Sequence, residues 1–448
     1  MSLITDISFG GDTKQDGRVG ESDVYQDLKF RTFELVLEYL EMKNLTADDM
    51  SRGALKDEIG QALSVALMGE GVALNAAERT RLIEEVEHEI TGLGPLEPLL
   101  ADPAIDDVIV NGARKIFVEK KGKMERAAVR FRDDAHLMNV IQRIVGPIGR
   151  RIDESSPYVD ARLPDGSRVN VVIPPVALDG PMVSIRKFRA QPITVDELIR
   201  SGSIPPDIMD FLARAVASRL NILISGGTGS GKTTFLNILS SFIGEKERLV
   251  TIEDAAELRL RQEHVVRLET RPSSTDGPPE VDARDLVKNA LRMRPDRIIL
   301  GEVRGAEAVD MLQAMSTGHD GSMATLHANS PRDALGRIEM LLDFGGLSAD
   351  TATLRRYIAS SVQVIVQVGR LSGGTRRVLS VTEVTGVEAE SYSMNELWKF
   401  VEDPPLSGQG RFEQISRRPY FENRLTDRVQ RFAAGGSNNS STKPKGDV

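Results

Sequence analysis

Cysteine is absent from all 448 residues of the sequence. This absence excludes disulfide bonds and zinc sites built on thiolates, and it fits a reducing compartment, although some exported proteins also lack cysteine. Histidine is scarce as well, with 5 residues, of which His319 and His327 fall together in a glycine- and threonine-rich segment. Two histidines without cysteine or regularly spaced carboxylates do not complete the four ligands of a zinc site. The sequence therefore predicts no zinc.

Long hydrophobic runs are also missing. No window approaches the roughly 18 apolar residues of a membrane-spanning helix. The most apolar short run, VQVIVQVG at 362–369, is at most a buried strand. The amino-terminal residues lack a basic region followed by an apolar block, which disfavours a secretory signal. We therefore expect a cytoplasmic protein that is associated peripherally with a membrane through its partners.

Positive charge is in deficit, because 57 Lys and Arg face 66 Asp and Glu and give a net charge of −9. This balance disfavours a nucleic-acid binder whose affinity rests on neutralising phosphates, although a local basic patch stays compatible with it. Hydrophobic residues at 40% and charged residues at 27% are ordinary for a globular protein. The length favours two or three domains.

Periodicity and composition divide the chain into regions. Helical spacing of apolar residues predicts a small helical bundle, in which Asn75 and Glu78 have the spacing of a capping box. Short β-rich runs with one helix then predict an α+β domain, and alternating strands and helices predict a parallel α/β domain. In chain order we expect a disordered tail (1–22), the helical bundle (23–90), the α+β domain (91–190), an interdomain linker (191–205), the α/β domain (206–432) and a disordered tail (433–448).

The most informative segment is NILISGGTGSGKTTFLNILSSFI. It fits the pattern G-x-x-x-x-G-K-[ST], with an apolar strand before it and an amphipathic helix after it. Glycines let backbone N–H groups turn toward phosphate oxygens, and the start of the helix adds a favourable dipole. An accidental match by a glycine-rich turn is the alternative, and the flanking strand and helix disfavour it. The pattern predicts ATP bound by Gly226, Gly227, Thr228, Gly229, Ser230, Gly231, Lys232, Thr233 and Thr234, with Thr233 also holding Mg²⁺.

Hydrolysis of a bound nucleotide also requires a carboxylate near the γ-phosphate. Two apolar strands end in such residues, one at Glu302 and one at Glu253 followed by Asp254. One carboxylate can hold the magnesium hydration shell while the other orients or deprotonates water. The sequence does not decide between them, and a carboxylate after a strand is often only a solvated loop residue. We favour Glu302 for the water and Glu253 for the metal shell, through water.

Four segments in this order resemble the boxes of the secretion-motor ATPase superfamily. SGGTGSGKTT is similar to its Walker A segment, TIEDAAEL to the aspartate box, NALRMRPDRIILGEVRG to Walker B and STGHDGSMATLHANSPRDAL to the histidine box. Upstream, GLGPLEPLL, the segment GRRIDESSPYVDARLPDGSRVNVVIPPVALDGP and SIRKF resemble the Tad (tight adherence, Flp pilus) motor ATPases, so the resemblance covers roughly residues 25–429. The type II secretion members carry a cysteine-rich zinc module, which this chain cannot form.

The resemblance implies a hexameric ATPase with a RecA-like carboxy-terminal domain and nucleotide bound between its two domains. It implies that Arg168 and Arg186 reach the phosphates from the amino-terminal domain, as arginine fingers do. It also places His327 near the γ-phosphate and His319 in the same box. From the residues alone, a surface strand position is the more common fate of an arginine in a hairpin, and the alternative for the histidines is hydrogen bonding to backbone carbonyls inside a tight loop.

The leading hypothesis is therefore a hexameric motor that powers assembly of a Tad/Flp-type pilus, with retraction left open. Its implied partners are inner-membrane platform proteins and, indirectly, a pilin. The alternatives are a type IV secretion ATPase that exports protein or DNA, and a nucleotide-gated scaffold with little hydrolysis. A nucleic-acid translocase is disfavoured by the acidic balance and by the lack of a basic groove interleaved with aromatics.

Overall fold

The computed structural model describes residues 23–43, 50–70, 74–120, 122–188, 193–271 and 279–425. The expected tails, 1–22 and 433–448, and the first two residues of the expected linker lie outside the described residues. The chain divides into two compact units, Met1–Phe188 and Arg189–Val448. Among the described helices, none combines the length and the apolar character that a bilayer span needs.

The first unit begins with three helices, α1 (Asp23–Lys43), α2 (Arg52–Glu70) and α3 (Ala76–Thr91). Their apolar faces bury Leu28, Val36, Ile59, Leu63, Leu82 and Val86 in one cluster. The predicted capping box at the start of α3 is confirmed, because Asn75 Oδ1 accepts from the Glu78 N–H and Glu78 Oε2 accepts from the Asn75 N–H, both at 2.9 Å.

The rest of the first unit is a six-stranded antiparallel sheet in the order β3-β2-β1-β6-β5-β4. Buried residues of the sheet and of α5, including Val108, Val171 and Ile141, form its core. The elements are α4 (Glu97–Ala101), β1 (Ile105–Asn111), β2 (Ile116–Lys120), β3 (Lys123–Arg126), α5 (Asp134–Val145), β4 (Tyr158–Arg162), β5 (Arg168–Val172) and β6 (Met182–Arg186), with 3-10 turns at Gly94–Leu96 and Gly146–Ile148.

The second unit is built on a nine-stranded sheet in the order β15-β14-β13-β12-β7-β11-β10-β8-β9. Its elements are α6 (Val195–Arg200), α7 (Pro206–Ala217), β7 (Ile222–Gly226), α8 (Lys232–Ser240), β8 (Leu249–Glu253), β9 (Val265–Glu269), α9 (Ala283–Ala290), β10 (Arg297–Val303), α10 (Glu307–Ser316), β11 (Met323–Leu326), α11 (Pro331–Phe344), α12 (Thr351–Ser361), β12 (Val364–Arg370), a 3-10 turn (Ser372–Gly374), β13 (Arg376–Glu388), β14 (Ser391–Glu402) and β15 (Gly410–Gln414).

Strands β12, β7, β11, β10, β8 and β9 are parallel, so their carboxyl ends meet at one edge of the sheet. Helices cover both faces of these strands and bury two separate apolar clusters. The α/β fold class expected from the sequence is confirmed. The three antiparallel strands that complete the sheet, β13 to β15, were not anticipated by the alternation of strands and helices.

The expected linker, 191–205, contains α6. A capping box of Thr194 and Glu197 starts this helix, and Leu198 and Ile199 pack against the core of the second unit. Because Val195, Leu198 and Ile199 lie at helical spacing and pack against this core, the described part of the segment is anchored to the α/β unit and is not an extended tether.

Candidate nucleotide-binding site

The P-loop joins a fully buried strand, β7, to the start of α8. Gly229 and Gly231 have φ of +68° and +94°, in the region that favours glycine. Gly226 has no room for a side chain, because a Cβ there would lie 2.3 Å from the Val368 carbonyl oxygen. Gly231 is also the N-cap of α8 and provides no side chain to cap it. The first backbone N–H groups of the helix are therefore presented to an anion.

Lys232 lies at the centre of the loop and is 7% exposed. Its ammonium group donates to the carbonyl oxygens of Gly226 at 3.1 Å and Gly227 at 3.0 Å, and it lies 3.2 Å from His327 Nε2. A buried ammonium group on weak carbonyl acceptors gains a stronger, charge-assisted partner when phosphate enters. The geometry thus fits the role that the sequence predicts for this lysine.

The remaining loop residues surround this lysine. Thr228 is exposed, Ser230 is buried and donates its hydroxyl to the Gly227 carbonyl at 2.8 Å, and Thr233 and Thr234 are half-buried in the first turn of α8. Ser230 therefore stabilises the loop conformation from within.

Glu302 follows the apolar part of β10 and contacts two of the predicted site groups. Its Oε1 lies 2.7 Å from His327 Nε2, without the alignment of a hydrogen bond, and its Oε2 accepts from the Arg304 guanidinium at 2.6 Å. Burial opposes ionisation of Glu302, but the hydrogen bond and charge of Arg304, with the charges of His327 and Lys232, outweigh burial and hold the pKa of Glu302 below its ordinary value. Glu302 is therefore a carboxylate at neutral pH.

His327 lies between Lys232 and Glu302, directly after β11. Burial, followed by the charge of Lys232, lowers the pKa of His327 below its ordinary value. The imidazole is accordingly neutral at pH 7 and offers one donor and one acceptor nitrogen to a phosphate or a water molecule.

Glu253 ends β8 and is 4% exposed. Its Oε2 accepts from the backbone N–H groups of Glu257 at 2.7 Å and Leu258 at 2.9 Å, whereas its buried Oε1 has no hydrogen-bond partner among the described residues. Burial raises the pKa of Glu253 although these backbone hydrogen bonds oppose the shift. A buried oxygen without a partner and a raised proton affinity are properties of a proton acceptor.

The residues that the structure describes contain no group of three His, Asp or Glu side chains spaced to hold a metal ion. A magnesium ion here would therefore take oxygen ligands from phosphates and water as well as from the chain. The Thr233 hydroxyl and the Glu302 carboxylate are oxygen donors of the kind that Mg²⁺ prefers, so the donor chemistry fits this cofactor.

His319 is not brought to this edge of the sheet. It precedes β11 whereas His327 follows it, and a strand of this length rises by roughly 13 Å. Its backbone N–H donates to Ala314, its carbonyl accepts from Ser322, and its buried Nδ1 has no partner in the described part of the chain. Because the strand separates the two histidines, we do not carry His319 into the site.

Arg168 and Arg186 lie in the first unit, on adjacent strands. They are direct cross-strand neighbours, both exposed, and Arg162 is the neighbour of Arg168 on its other side. Like charges directly opposite one another disfavour the pairing, and Asp107 of β1, the neighbour of Arg186 on its other side, places a carboxylate beside this row of three arginines.

Three further residues at the P-loop edge were missed by sequence reasoning. Arg304 contacts Glu302 and Asp254, Arg376 Nε donates to the Gly229 carbonyl at 2.9 Å, and Gln367 Nε2 donates to the Ala328 carbonyl at 3.1 Å. A glutamine inside the apolar run at 362–369 was a signal that could have been used. Nothing local marked Arg376, because strand pairing brings it to the loop.

A family model described as type II/IV secretion system protein matches residues 89–395. A Mycobacterium tuberculosis (strain H37Rv) protein, provisionally named a conjugal transfer protein, is 40% identical over 309 residues, which cover 68% of this chain and 87% of that protein. The conjugal transfer protein TrbB of Rhizobium radiobacter is 33% identical over 308 residues, 68% of this chain and 91% of TrbB. The solved VirB11 ATPase of the Brucella suis type IV secretion system, in complex with sulphate, is 32% identical to this chain. The match covers 66% of this chain and 97% of the VirB11 chain, with a TM-score of 0.36.

Proposed function

Because the chain belongs to the type II/IV secretion system protein family, we propose that it is an ATPase that couples ATP hydrolysis to mechanical work in a pilus or secretion machine. The observation that carries the proposal is the convergence of Lys232, His327 and Glu302 beside the P-loop. A fixed cation, a neutral histidine and an ionised carboxylate around a phosphate-binding loop are groups that phosphoryl transfer to water uses.

In this proposal the P-loop N–H groups and Lys232 bind the β- and γ-phosphates, and His327 contacts the γ-phosphate from β11. Thr233 and Glu302 would hold Mg²⁺, which would supply positive charge to neutralise the phosphate oxygens. Arg168 and Arg186, as an exposed cross-strand pair, supply further positive charge to the transition state.

The electrostatics favour a division of labour between the carboxylates that is the reverse of our expectation from sequence. Glu302 is held ionised beside Lys232, as a group facing Mg²⁺ and phosphate has to be. Glu253 has a raised pKa and a buried oxygen without a partner, which suits a base that takes a proton from the attacking water. We therefore assign the water to Glu253 and the metal to Glu302.

Two machines are compatible with this chemistry. The upstream segments GLGPLEPLL and SIRKF favour assembly of a Tad/Flp-type pilus, with a pilin as an indirect partner. The relatives named for conjugal transfer and type IV secretion favour export of protein or DNA at least as strongly. In either case we propose a homo-hexamer that works on the cytoplasmic side of the inner membrane, against platform proteins.

The experiment that tests the proposal is magnesium-dependent ATP hydrolysis by the purified chain as a function of protein concentration. Specific activity that rises steeply with concentration supports an assembly-dependent motor. Negligible activity at every concentration, with ATP still bound, favours the nucleotide-gated scaffold. A salt-sensitive increase on adding DNA would favour a translocase. In the source organism, Lys232→Ala should abolish either pilus formation or conjugal transfer, and which of them is lost identifies the machine.

A further inference from the structure

Gln367 is a buried polar residue in the middle of an apolar strand. It lies in β12 between Val366 and Val368, is 4% exposed, and is the direct parallel neighbour of Ser225 in β7. Its side-chain amide donates to the carbonyl oxygen of Ala328 at 3.1 Å. This hydrogen bond leaves the strand on which the glutamine lies and reaches the loop that follows β11.

The hydrogen bond crosses the P-loop strand. β7 lies between β12 and β11 in the sheet, so the Gln367 side chain passes over Ser225 to reach Ala328. The Ser225 hydroxyl also points to the Ala328 carbonyl, at 3.5 Å. The carbonyl end of Ala328, the residue after His327, is thus held by groups on two neighbouring strands.

Holding Ala328 also holds His327, the preceding residue. Two charged groups lie close to the same His327 ring nitrogen, Nε2, with Lys232 Nζ at 3.2 Å and Glu302 Oε1 at 2.7 Å. Displacement of the backbone by even a fraction of an ångström would change both distances, and catalytic rates respond steeply to displacements of this size.

The amide is held at this position at a cost in stability. Its Oε1 is buried without a hydrogen-bond partner among the described residues, and such a group is destabilising. Gln363, just before the same strand, contrasts with it, because Gln363 Oε1 accepts from the Asn221 N–H and its Nε2 donates to Ser360. Residues that break a local packing rule without evident gain in stability are expected near functional sites.

The geometry points to Gln367 as a positioning residue of the nucleotide site, which holds the His327–Ala328 loop so that His327 senses the γ-phosphate. This inference rests on the proposed function, because it takes ATP as the ligand. Gln367 itself touches no reacting group. Its loss should therefore weaken the distinction between ATP and ADP and slow turnover, with little effect on nucleotide binding through the P-loop.

The test compares Gln367→Met with Gln363→Met in the full-length chain. Both substitutions remove a buried amide from the β12 region, but only the first is at the P-loop edge. The readouts are the dissociation constants of ADP and of a non-hydrolysable ATP analogue with Mg²⁺, kcat and KM for ATP, and the melting temperature. For Gln367→Met we expect the preference for the ATP analogue over ADP to fall about fivefold, the scale of one hydrogen bond. We also expect kcat to fall about 10- to 100-fold and KM for ATP to rise about fivefold with the dissociation constant of the ATP analogue, whereas ADP affinity should stay within about twofold of wild type.

Gln363→Met should leave both the preference and kcat within about twofold of wild type, even if its melting temperature falls more. The inference would be overturned if the two variants had the same preference and the same kcat. It would also be overturned if Gln367→Met kept the wild-type preference for the ATP analogue over ADP. The preference for the ATP analogue over ADP is measured without hydrolysis. If the wild type did not hydrolyse ATP, the proposed motor function would fail, but the comparison of the two variants by nucleotide preference would still test the role of Gln367.

Gln367→Glu provides a second variant of nearly the same shape. Only the protonated form of the introduced carboxyl can donate to the Ala328 carbonyl. Its preference for the ATP analogue over ADP and its kcat, each relative to wild type, should therefore recover as pH is lowered from about 8 toward 6, because burial raises the pKa of carboxyl groups toward this range. If the folded variant had a preference and a kcat that stayed constant with pH relative to wild type, the role of the hydrogen bond would be contradicted.

Discussion

The two ends of the parallel strands in the second unit carry similar buried polar residues, but these residues differ in how fully they are hydrogen-bonded within the chain. At the amino end, Arg297 is 0% exposed and forms a bidentate pair with Glu247 at 2.8 and 2.7 Å, while its remaining nitrogen donates to the Val216 carbonyl at 2.7 Å. Asn221 nearby donates to Met315 and Ser361 and accepts from Gly321 and Ser322. The polar groups of Arg297, Glu247 and Asn221 thus have partners within the chain, whereas at the same end the buried Ser218 hydroxyl and His319 Nδ1 have none among the described residues.

At the carboxyl end the polar groups are only partly satisfied. Glu253 and Gln367 each bury one oxygen without a partner in the described chain, and the contacts of Lys232 include two carbonyl oxygens and a neutral imidazole. The same types of residue thus stabilise the fold at one end and remain available for a ligand at the other. The structural end and the functional end differ less in whether buried polar groups are present than in how fully those groups are hydrogen-bonded within the chain.

Substitution of Lys232 is the most direct test of the difference between the two ends of the strands. Lys232→Ala should reduce ATP turnover beyond detection, a larger loss than the roughly 10²- to 10³-fold seen when one preorganised donor is removed, because this cation serves both binding and catalysis. Its unfolding free energy should change little. Nucleotide titration and urea unfolding measure the two effects, and near-normal ATP affinity would remove the P-loop assignment.

The arginine row extends the comparison to the sheet of the first unit. Arg168→Ala and Arg186→Ala should each lower kcat by about 10³-fold, the lower end of the range for arginine fingers. Arg126→Ala, on the exposed edge strand of the same sheet, is the control and should be neutral. A loss confined to stability would show that the row is a surface feature only.

The amino end should respond in the opposite sense. Arg297→Met removes the buried bidentate partner of Glu247 and leaves it paired with Arg219 Nη2 at 2.7 Å, so we expect a cost near the lower end of the about 3–5 kcal/mol for breaking a buried pair. Any protein that remains folded should bind ATP with wild-type affinity. If Arg297→Met were instead stable and unable to bind nucleotide, the distinction between the two ends would fail.

Glu253→Gln should have a small effect on stability, and its sign is informative. Since the folded-state pKa of Glu253 is raised, the folded chain binds this proton more tightly than the unfolded chain, and ionisation destabilises it at pH values above that pKa. Glu253→Gln should therefore raise the melting temperature at pH 7 and lose this advantage as pH falls below the unfolded pKa. ATP turnover should be lost at the same time, and a variant that is both destabilised and active would contradict the role as base.

Sequence predicted the parts of the site that local pattern determines. The P-loop, the glutamates that end β8 and β10, and the capping box at Asn75 all depend on residues within a few positions of one another. The division of labour between Glu253 and Glu302 depends on burial and on Arg304, Lys232 and His327, which the fold brings together from separate segments. For the same reason, the separation of His319 from His327 by β11 and the hydrogen bond from Gln367 to Ala328 were not predictable from the chain alone.

The most direct test of the account is steady-state, magnesium-dependent ATP hydrolysis by wild type and Glu302→Gln, with ATP affinity measured on the same samples. Glu388→Gln, an exposed glutamate at the end of β13, is the matched control. The account predicts that Glu302→Gln still binds ATP but loses about 3 kcal/mol or more of transition-state stabilisation, whereas the control keeps full activity. Full ATP turnover by Glu302→Gln would contradict the assignment of the carboxyl end as a hydrolytic site.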